Sequence, residues 1–216
     1  MIIHGFGWHE FVFLLWGIPW TIGLTLIACI VGGAIGFAMA VARISRNRVL
    51  LIISVIYIQV IQGTPVLLLL FLVYYFLALY GINVQPLLAA SVAMSLFGSA
   101  YFADIWRGAL QSVSRHQWEA GESLALPPAT TFFSIILPQA IRIAIPPTVG
   151  FIVQIVKNSS AASIIGFVEL TRAGQLMNNL TFQPFQVFLS VAAIYFVICY
   201  PISWASRILE KRMQHA

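Results

Sequence analysis

The chain has 216 residues, of which 61% are hydrophobic and only 8% charged, with a mean hydropathy of +0.96. A soluble domain carries about 25% charged residues, so a water-soluble enzyme or binding module is excluded and an integral, all-α membrane protein is expected. The net charge of +5 comes from 11 basic against 6 acidic residues; in a membrane protein such an excess belongs to cytoplasmic loops, and no nucleic-acid partner is expected.

The first ten residues, Met1–Glu10, lack the basic start of a cleavable signal peptide. His4 and His9 lack the further ligands a metal would need. Five apolar stretches follow: Phe11–Ala42, Val49–Tyr80, Pro86–Trp106, Thr131–Ile155 and Phe185–Ala205. A spanning helix needs about 20 such residues. In the first, Gly32-x3-Gly36 reads as a small-residue packing face against another span of the same chain. Cys29 and Cys199 lie in apolar runs, far apart and without a CxxC partner, and read as small buried hydrophobes.

The second stretch is too long for one straight span. As a single helix it would measure about 48 Å at ~1.5 Å per residue, against a hydrocarbon core of about 30 Å. It crosses once, broken or tilted at Gly63-Thr64-Pro65, or twice as a hairpin. Charge decides. Arg43, Arg46 and Arg48 follow the first stretch, Arg107 and Arg115 the third, and Arg207, Lys211 and Arg212 the fifth, whereas Gly81–Gln85 carries no charge. A single crossing puts all three clusters on one side. The positive-inside rule therefore predicts five spans, N-terminus outside and C-terminus inside, in one transmembrane domain covering residues 1–216.

The same argument places the loop at about 112–138 in the cytoplasm. Ser112–Leu126 reads as a short polar helix with Glu119 and Glu122 on one face. Pro127-Pro128 cannot continue it. Ala129–Ile136 is apolar enough to lie at the membrane interface, and Pro138 is expected to end it. Two readings of this helix-break-helix stay open: a knob that docks into a soluble partner, or an amphipathic helix lying on the membrane.

Glu119-Ala120-Gly121, three residues, Ala125, nine residues, Ile135, one residue, then Leu137-Pro138 resembles the EAA loop of ATP-binding-cassette importer permeases. Gly121 stands where the pattern has a third Ala, and Ala125 where it has Gly. Gln62-Gly63-Thr64-Pro65, the run Ser99–Ala109, and Lys157–Ser160 through Val168–Gly174 are similar to the polar amino-acid branch of that family, so the resemblance covers most of the chain. It implies five spans, a second permease chain (identical or homologous), two ATPase subunits and an extracytoplasmic amino-acid-binding protein. It also implies that Glu119, Ala120, Gly121, Ala125, Leu137 and Pro138 couple to the ATPase. Where the branch often has Lys-Asp-Thr-Ser, this chain has Lys157-Asn158-Ser159-Ser160.

Polar residues within spans mark a pathway. Pro146-Pro147 is expected to interrupt the fourth span, with Lys157 roughly 15 Å further on at ~1.5 Å per residue, near the midplane. Asn158, Ser159 and Ser160 follow at once, and broken polar helices at that depth are where transporters bind substrate. Alternatively Lys157 pairs with an acid or snorkels outward. Glu169 and Arg172 read as an outer gate or an interfacial ion pair. Gln59, Gln62 and Thr64 flank the break in the second stretch and are candidates to line the same cavity. Asp104 and Arg107, three apart, read as a structural pair.

The chain has no GxxxxGK[ST], so it holds no P-loop; ATP and Mg would be bound by a partner ATPase, and no cofactor or metal is expected in this chain. The expected function is the permease subunit of an ATP-driven importer for polar amino acids, acidic or neutral ones favoured by Lys157 and the neutral Asn158. The alternative is an ion-gradient-driven secondary transporter or channel subunit. That reading lacks an internal repeat and a mid-span acid.

Overall fold

The computed structural model describes residues 5–45, 47–81 and 83–214, apart from the side chains at 77, 212 and 214; His4 and Arg46 lie outside the described residues. In hydrocarbon a backbone must satisfy its own hydrogen bonds, and every regular element described is helical. In chain order these are α1 (Trp8–Leu15), α2 (Ile18–Ile44), α3 (Arg48–Gly63), α4 (Val66–Leu79), α5 (Pro86–Ser112), α6 (Arg115–Ser123) and α7 (Pro128–Thr130). A π-helical turn (Thr131–Ile136) leads into α8 (Leu137–Asn158), a 3-10 segment (Ser159–Ile165), α9 (Leu170–Thr181) and α10 (Pro184–Gln214).

Trp8–Ile44, Pro86–Ser112, Pro128–Ile165 and Pro184–Lys211 are each long and apolar enough to cross a membrane. The α3–α4 pair passes only when taken together, and it is bent by 101°. Counted as one broken span, it brings the number to the expected five. The break falls at Gly63-Thr64-Pro65. Thr64 is extended (φ −103°, ψ 124°), as a residue before proline must be, and Pro65 has no N–H to continue the ladder. The expected tilt is thus closer to a right-angled turn.

Helix α5 is the centre of the bundle, packed against α2, α3, α4 and α8. Its inner surface is made of small residues: Ala89, Ala90, Ala93, Gly98, Ser99, Ala100 and Ala103 are all buried. Such residues let backbones approach closely, which is how helices associate where no hydrophobic effect separates them from lipid. The closest approach is to α2. A Cβ on Gly32 would stand 2.8 Å from the Ser95 carbonyl oxygen, and one on Gly36 would stand 2.8 Å from both Phe102 Cβ and the Ser99 carbonyl oxygen. The Gly32-x3-Gly36 pair therefore packs two spans of this chain together, as expected. Beyond the seam, Phe102 stacks on Trp106 (centroids 5.2 Å) and meets Phe151 of α8 edge-on (5.1 Å). Trp106 Nε1 donates to Thr148 Oγ1 at 2.9 Å.

A second core joins α1, α9 and the start of α10 through Leu14, Leu170, Ala173, Met177 and Val187. Buried hydroxyls are satisfied locally. Thr25, Ser54, Ser99 and Thr181 donate to carbonyls three or four residues back, at 2.7–2.9 Å. Large side chains such as Ile52, Ile56, Leu72, Phe76, Phe185, Phe196 and Val197 are exposed, as a lipid-facing surface requires.

Two expectations about proline are corrected. Pro146-Pro147 does not interrupt the fourth span, because α8 runs through both. Ser206 Oγ of α10 donates to the Pro146 carbonyl oxygen at 2.9 Å, which ties α8 to α10 at this step. Pro138 does not end a helix either. It sits where the π turn passes into α8, and α7, the π turn and α8 run on as one continuous helix.

Replacing Gly36 by Leu should destabilise the protein by about 1–3 kcal/mol through overpacking, whereas Gly23→Leu should be close to neutral, since nothing lies within 4 Å of a Cβ there. Thermal melting of both variants in detergent checks the contrast.

Candidate functional site

The loop at 112–138 is built as a knob on a fixed stem. Helix α6 starts at Ser114, whose Oγ accepts from His116 N at 3.3 Å. One side of α6 is anchored: Trp118 packs against the cluster of Leu110, Val113, Ile136 and Ala140. Gly121, one turn on, is buried against Thr131 so tightly that a Cβ would fall 2.5 Å from Thr131 Cγ2 and 2.7 Å from its Oγ1. Glycine in place of the pattern's third Ala is therefore matched to Thr131 on the rod that leads into α8.

The other side of α6 is free. Glu119, Ala120 and Glu122 are exposed, and Leu124 at the tip is 72% exposed. Glu119 is held within its own helix by Arg115 Nε (3.0 Å) and His116 Nδ1 (3.4 Å), all three side chains facing solvent. Exposed pairs of this kind are worth little, so the carboxylate is available for exchange.

The knob turns at Ala125, which corrects the expectation that the prolines make the break. Ala125 is left-handed at φ +50°. Leu126 N donates to the Gly121 carbonyl (3.0 Å) and Ala125 N to the Glu122 carbonyl (2.9 Å). These bonds form a Schellman cap, in which the left-handed position ordinarily belongs to glycine. Ala125 thus occupies the backbone conformation for which Gly is suited. Of the remaining motif positions, Leu137 is half-buried against the α5–α8 cluster and Pro138 is exposed. The six positions separate into a displayed set (Glu119, Ala120, Ala125 and Pro138) and an internal pair (Gly121 and Leu137).

Along the spans, the structure brings some predicted polar residues together. Gln62 Nε2 donates to the Ala100 carbonyl at 3.3 Å and lies 3.5 Å from Asp104 Oδ2. Asp104 Oδ1 accepts from Arg107 Nη2 at 3.0 Å, which is the expected structural pair. Thr64 Oγ1 is spent on the Val60 carbonyl (2.8 Å), and Gln59 is exposed. No hydrogen bond among the described residues joins this α3–α5 set to Lys157.

Lys157 is exposed on α8 and forms no ion pair among the described residues. Asn158 is half-buried and ends the α-helix; Ser159 opens the 3-10 segment. The helix changes from α to 3-10 here, at the polar residues themselves, within the continuous stretch Pro128–Ile165. Ser159 Oγ donates to the Val156 carbonyl and Ser160 Oγ to the Lys157 carbonyl, both at 2.7 Å, so the serines cap the end of α8. Gln154, which the sequence reading missed, is exposed one turn before Lys157. Its i,i+3 spacing to Lys157 was the available signal.

Glu169 and Arg172 do not pair with each other, which corrects the reading of them as an interfacial ion pair. Glu169 is fully buried and is the N-cap of α9: its carboxylate accepts from Thr171 N and Arg172 N, each at 2.9 Å, and from Tyr195 Oη at 2.8 Å. The Arg172 guanidinium turns to Gln175 Oε1 at 3.0 Å. Burial pushes the Glu169 carboxyl above the ordinary glutamate range, against the downward pull of those hydrogen bonds.

A membrane-embedded helical bundle with one protruding helical knob and no P-loop is the architecture of a transporter's membrane subunit. Residues 32–215 match the family of binding-protein-dependent transport system inner membrane components, and the chain belongs to that family. It is 35% identical over 199 residues to the L-cystine transport system permease TcyB of Bacillus subtilis, covering 91% of this chain and 85% of that one. It is 32% identical over 202 residues to a Rickettsia conorii permease named GlnP, for glutamine transport, covering 93% of each. Its fold superposes with a TM-score of 0.87 on a crystal structure of an amino acid ABC transporter with histidines, at 32% identity over 93% of this chain and 94% of that one.

Because Ala125 is held left-handed, Ala125→Gly should stabilise the knob by about 1 kcal/mol, while Ala120→Gly inside α6 should cost about 0.5–1 kcal/mol. Rates of proteolytic nicking between α6 and α7 should fall for the first and rise for the second.

Proposed function

We propose that this chain is the translocating subunit of an ATP-binding-cassette importer for polar amino acids, and that the α6 knob is where a partner ATPase drives it. The observation that carries the reading is the construction of the knob. Its outer face offers Glu119, Ala120 and Leu124 to a partner. Its inner face is locked to the start of the Pro128–Ile165 rod through Gly121 and Thr131. A push on α6 is therefore delivered to the rod that carries Lys157. Only the rigid attachment converts docking into motion, and a loosely tethered amphipathic helix would not.

The loop faces the cytoplasm in this reading, with the N-terminus outside, because Arg43, Arg48, Arg107, Arg115 and Arg207 then share the inner side. Two ATPase subunits would hold the ATP and Mg, and a second permease chain, identical or homologous, would complete the pathway. An extracytoplasmic binding protein would deliver the amino acid. The names of the relatives, which refer to cystine and glutamine, support a neutral polar substrate. Lys157 with the neutral Asn158 favours neutral or acidic amino acids over basic ones. An ammonium without an ion-pair partner in hydrocarbon is costly, and every amino acid brings a carboxylate to it. Gln62 and Thr64 would line the approach, while Ser159 and Ser160 hold the end of α8 in shape.

Two variants test the halves of this reading. Glu119→Lys should lower ATP-dependent uptake by about tenfold or more, the equivalent of ~1.4 kcal/mol or more of lost docking, with an unchanged amount of protein in the membrane. Normal uptake by that variant would sink the coupling role. Lys157→Ala should reduce uptake of glutamine by more than it reduces complex yield, and competition by arginine should remain weak. Preferential uptake of arginine over glutamine and glutamate would refute the charge argument.

A further inference from the structure

The two halves of the broken span are held in different ways. Helix α3 is tied to α5 by polar side chains. Ser99 Oγ donates its one proton to the Leu96 carbonyl at 2.7 Å, so in its hydrogen bond with Tyr57 the tyrosine hydroxyl is the donor. At the end of α3, Gln62 Nε2 donates to the Ala100 carbonyl at 3.3 Å. Ser99 also lies on the seam with α2: a Cβ on Gly32 would stand 3.1 Å from its N, and one on Gly36 would stand 2.8 Å from its carbonyl oxygen. Helices α2, α3 and α5 thus meet at one residue.

Helix α4 has no such ties. Its sequence is VLLLLFLVYYFLAL, and among the described residues no side-chain hydrogen bond or ion pair joins it to a neighbour. It is held by apolar packing. Leu69 and Leu70 share one core with Ala89 and Ala93 of α5 and with Ala162 and Ile165 of the 3-10 segment that follows Lys157-Asn158, and α4 packs directly on that segment. Between the halves the backbone ladder is interrupted. Gly63 is exposed, with nothing within 4 Å of a Cβ. Thr64 is extended, Pro65 has no N–H to give, and α4 starts a ladder of its own with Leu69 N on the Pro65 carbonyl (3.1 Å).

We propose that α3 is a fixed post and α4 a hinged half-span, turning at Gly63-Thr64-Pro65 to cover and uncover the 3-10 segment beyond Lys157, with Tyr57 and Gln62 as positioning residues that hold the post. The inference rests on the functional reading above, in which that segment lines the pathway. The physical reason is the difference in what must be broken. Apolar contacts within a bilayer are exchanged for lipid at little cost, whereas parting a buried hydroxyl from its acceptor leaves polar atoms unsatisfied. A shift of the Pro128–Ile165 helix is therefore taken up by α4, and a few extended residues absorb the rotation. Neither Tyr57 nor Gln62 is asked to touch the amino acid.

The test uses the assembled complex of permease, partner ATPase and binding protein in lipid vesicles, with labelled glutamine. In a Cys29→Ala, Cys199→Ala background, spin labels are attached through cysteines at the exposed positions Ile52 of α3, Phe76 of α4 and Ser112 of α5. Between the nucleotide-free complex and one trapped with a non-hydrolysable ATP analogue, the 76–112 distance should change by about 3 Å or more while the 52–112 distance stays constant, the pattern of a hinge. Tyr57→Phe removes one hydroxyl and keeps the ring. It should lower maximal uptake by about fivefold, the worth of one hydrogen bond, with complex yield and the half-saturating concentration of loaded binding protein unchanged. Adding Ser99→Ala should lower uptake no further, because both act through one bond. Tyr75→Phe, on the untied half, should transport like wild type. Normal uptake by Tyr57→Phe would overturn the proposal, as would a loss of uptake matched by a loss of yield, which marks a purely structural role. Equal changes at both label pairs would overturn it too. A wild-type complex without ATP-dependent uptake would overturn the functional reading and the hinge with it; ATP-dependent uptake over a motionless α4 would overturn the hinge alone.

Discussion

The near-contact of α2 and α5 is the constraint on which the remaining structure depends. In lipid, apolar side chains gain little by leaving hydrocarbon for protein, so a bundle holds through close packing and a few polar bonds. Gly32 and Gly36 supply that closeness against Ser95, Ser99 and Phe102. Because α5 is then fixed by its small face on one side, its aromatic face presents Phe102 and Trp106 to Phe151 and Thr148 of α8. The position of α8, and with it Lys157, is a consequence of two glycines some 120 residues earlier in the chain.

From the Pro128–Ile165 helix, contacts run to α6 at one end and to α9 at the other. Toward α6, the link is steric: Gly121 against Thr131 at a distance that admits no side chain. Toward α9, the contact is polar: Gln175 Nε2 lies 3.4 Å from Ser163 Oγ. Each is made of residues whose partners lie on another element. A translocating subunit needs this arrangement, because free energy released at a soluble partner has to move a pathway tens of ångströms away through packed contacts.

Much of this was legible in the sequence. Apolar length and the placement of arginines marked five spans, and the place of the break at Gly63-Thr64-Pro65, though not its right angle, followed from what proline does to its neighbour. The loop announced itself by polarity in an apolar chain. Family membership was carried by the register from Glu119 to Pro138. Proline misled elsewhere. Pro146, Pro147 and Pro138 read as interruptions because the local rule for proline does not show the packed neighbours, here α10 against α8, among which a helix runs on. The local rule for Glu169 and Arg172, charges three apart, lost to a tertiary one. Burial made the carboxylate seek backbone N–H groups and a tyrosine on another helix. Thr131 and Tyr195 were invisible for the same reason. Each matters through a partner more than 9 residues away, and hydroxyls in apolar helices carry no pattern of their own.

The central claim is that ATP hydrolysis by a partner, and not an ion gradient, drives this bundle. The most direct measurement is uptake of labelled glutamine or cystine into proteoliposomes holding the chain, its ATPase and its binding protein, with ATP enclosed and ionophores added. The account predicts uptake that requires hydrolysable ATP and persists when all ion gradients are collapsed. Uptake that proceeds without ATP and vanishes with the gradient would contradict it.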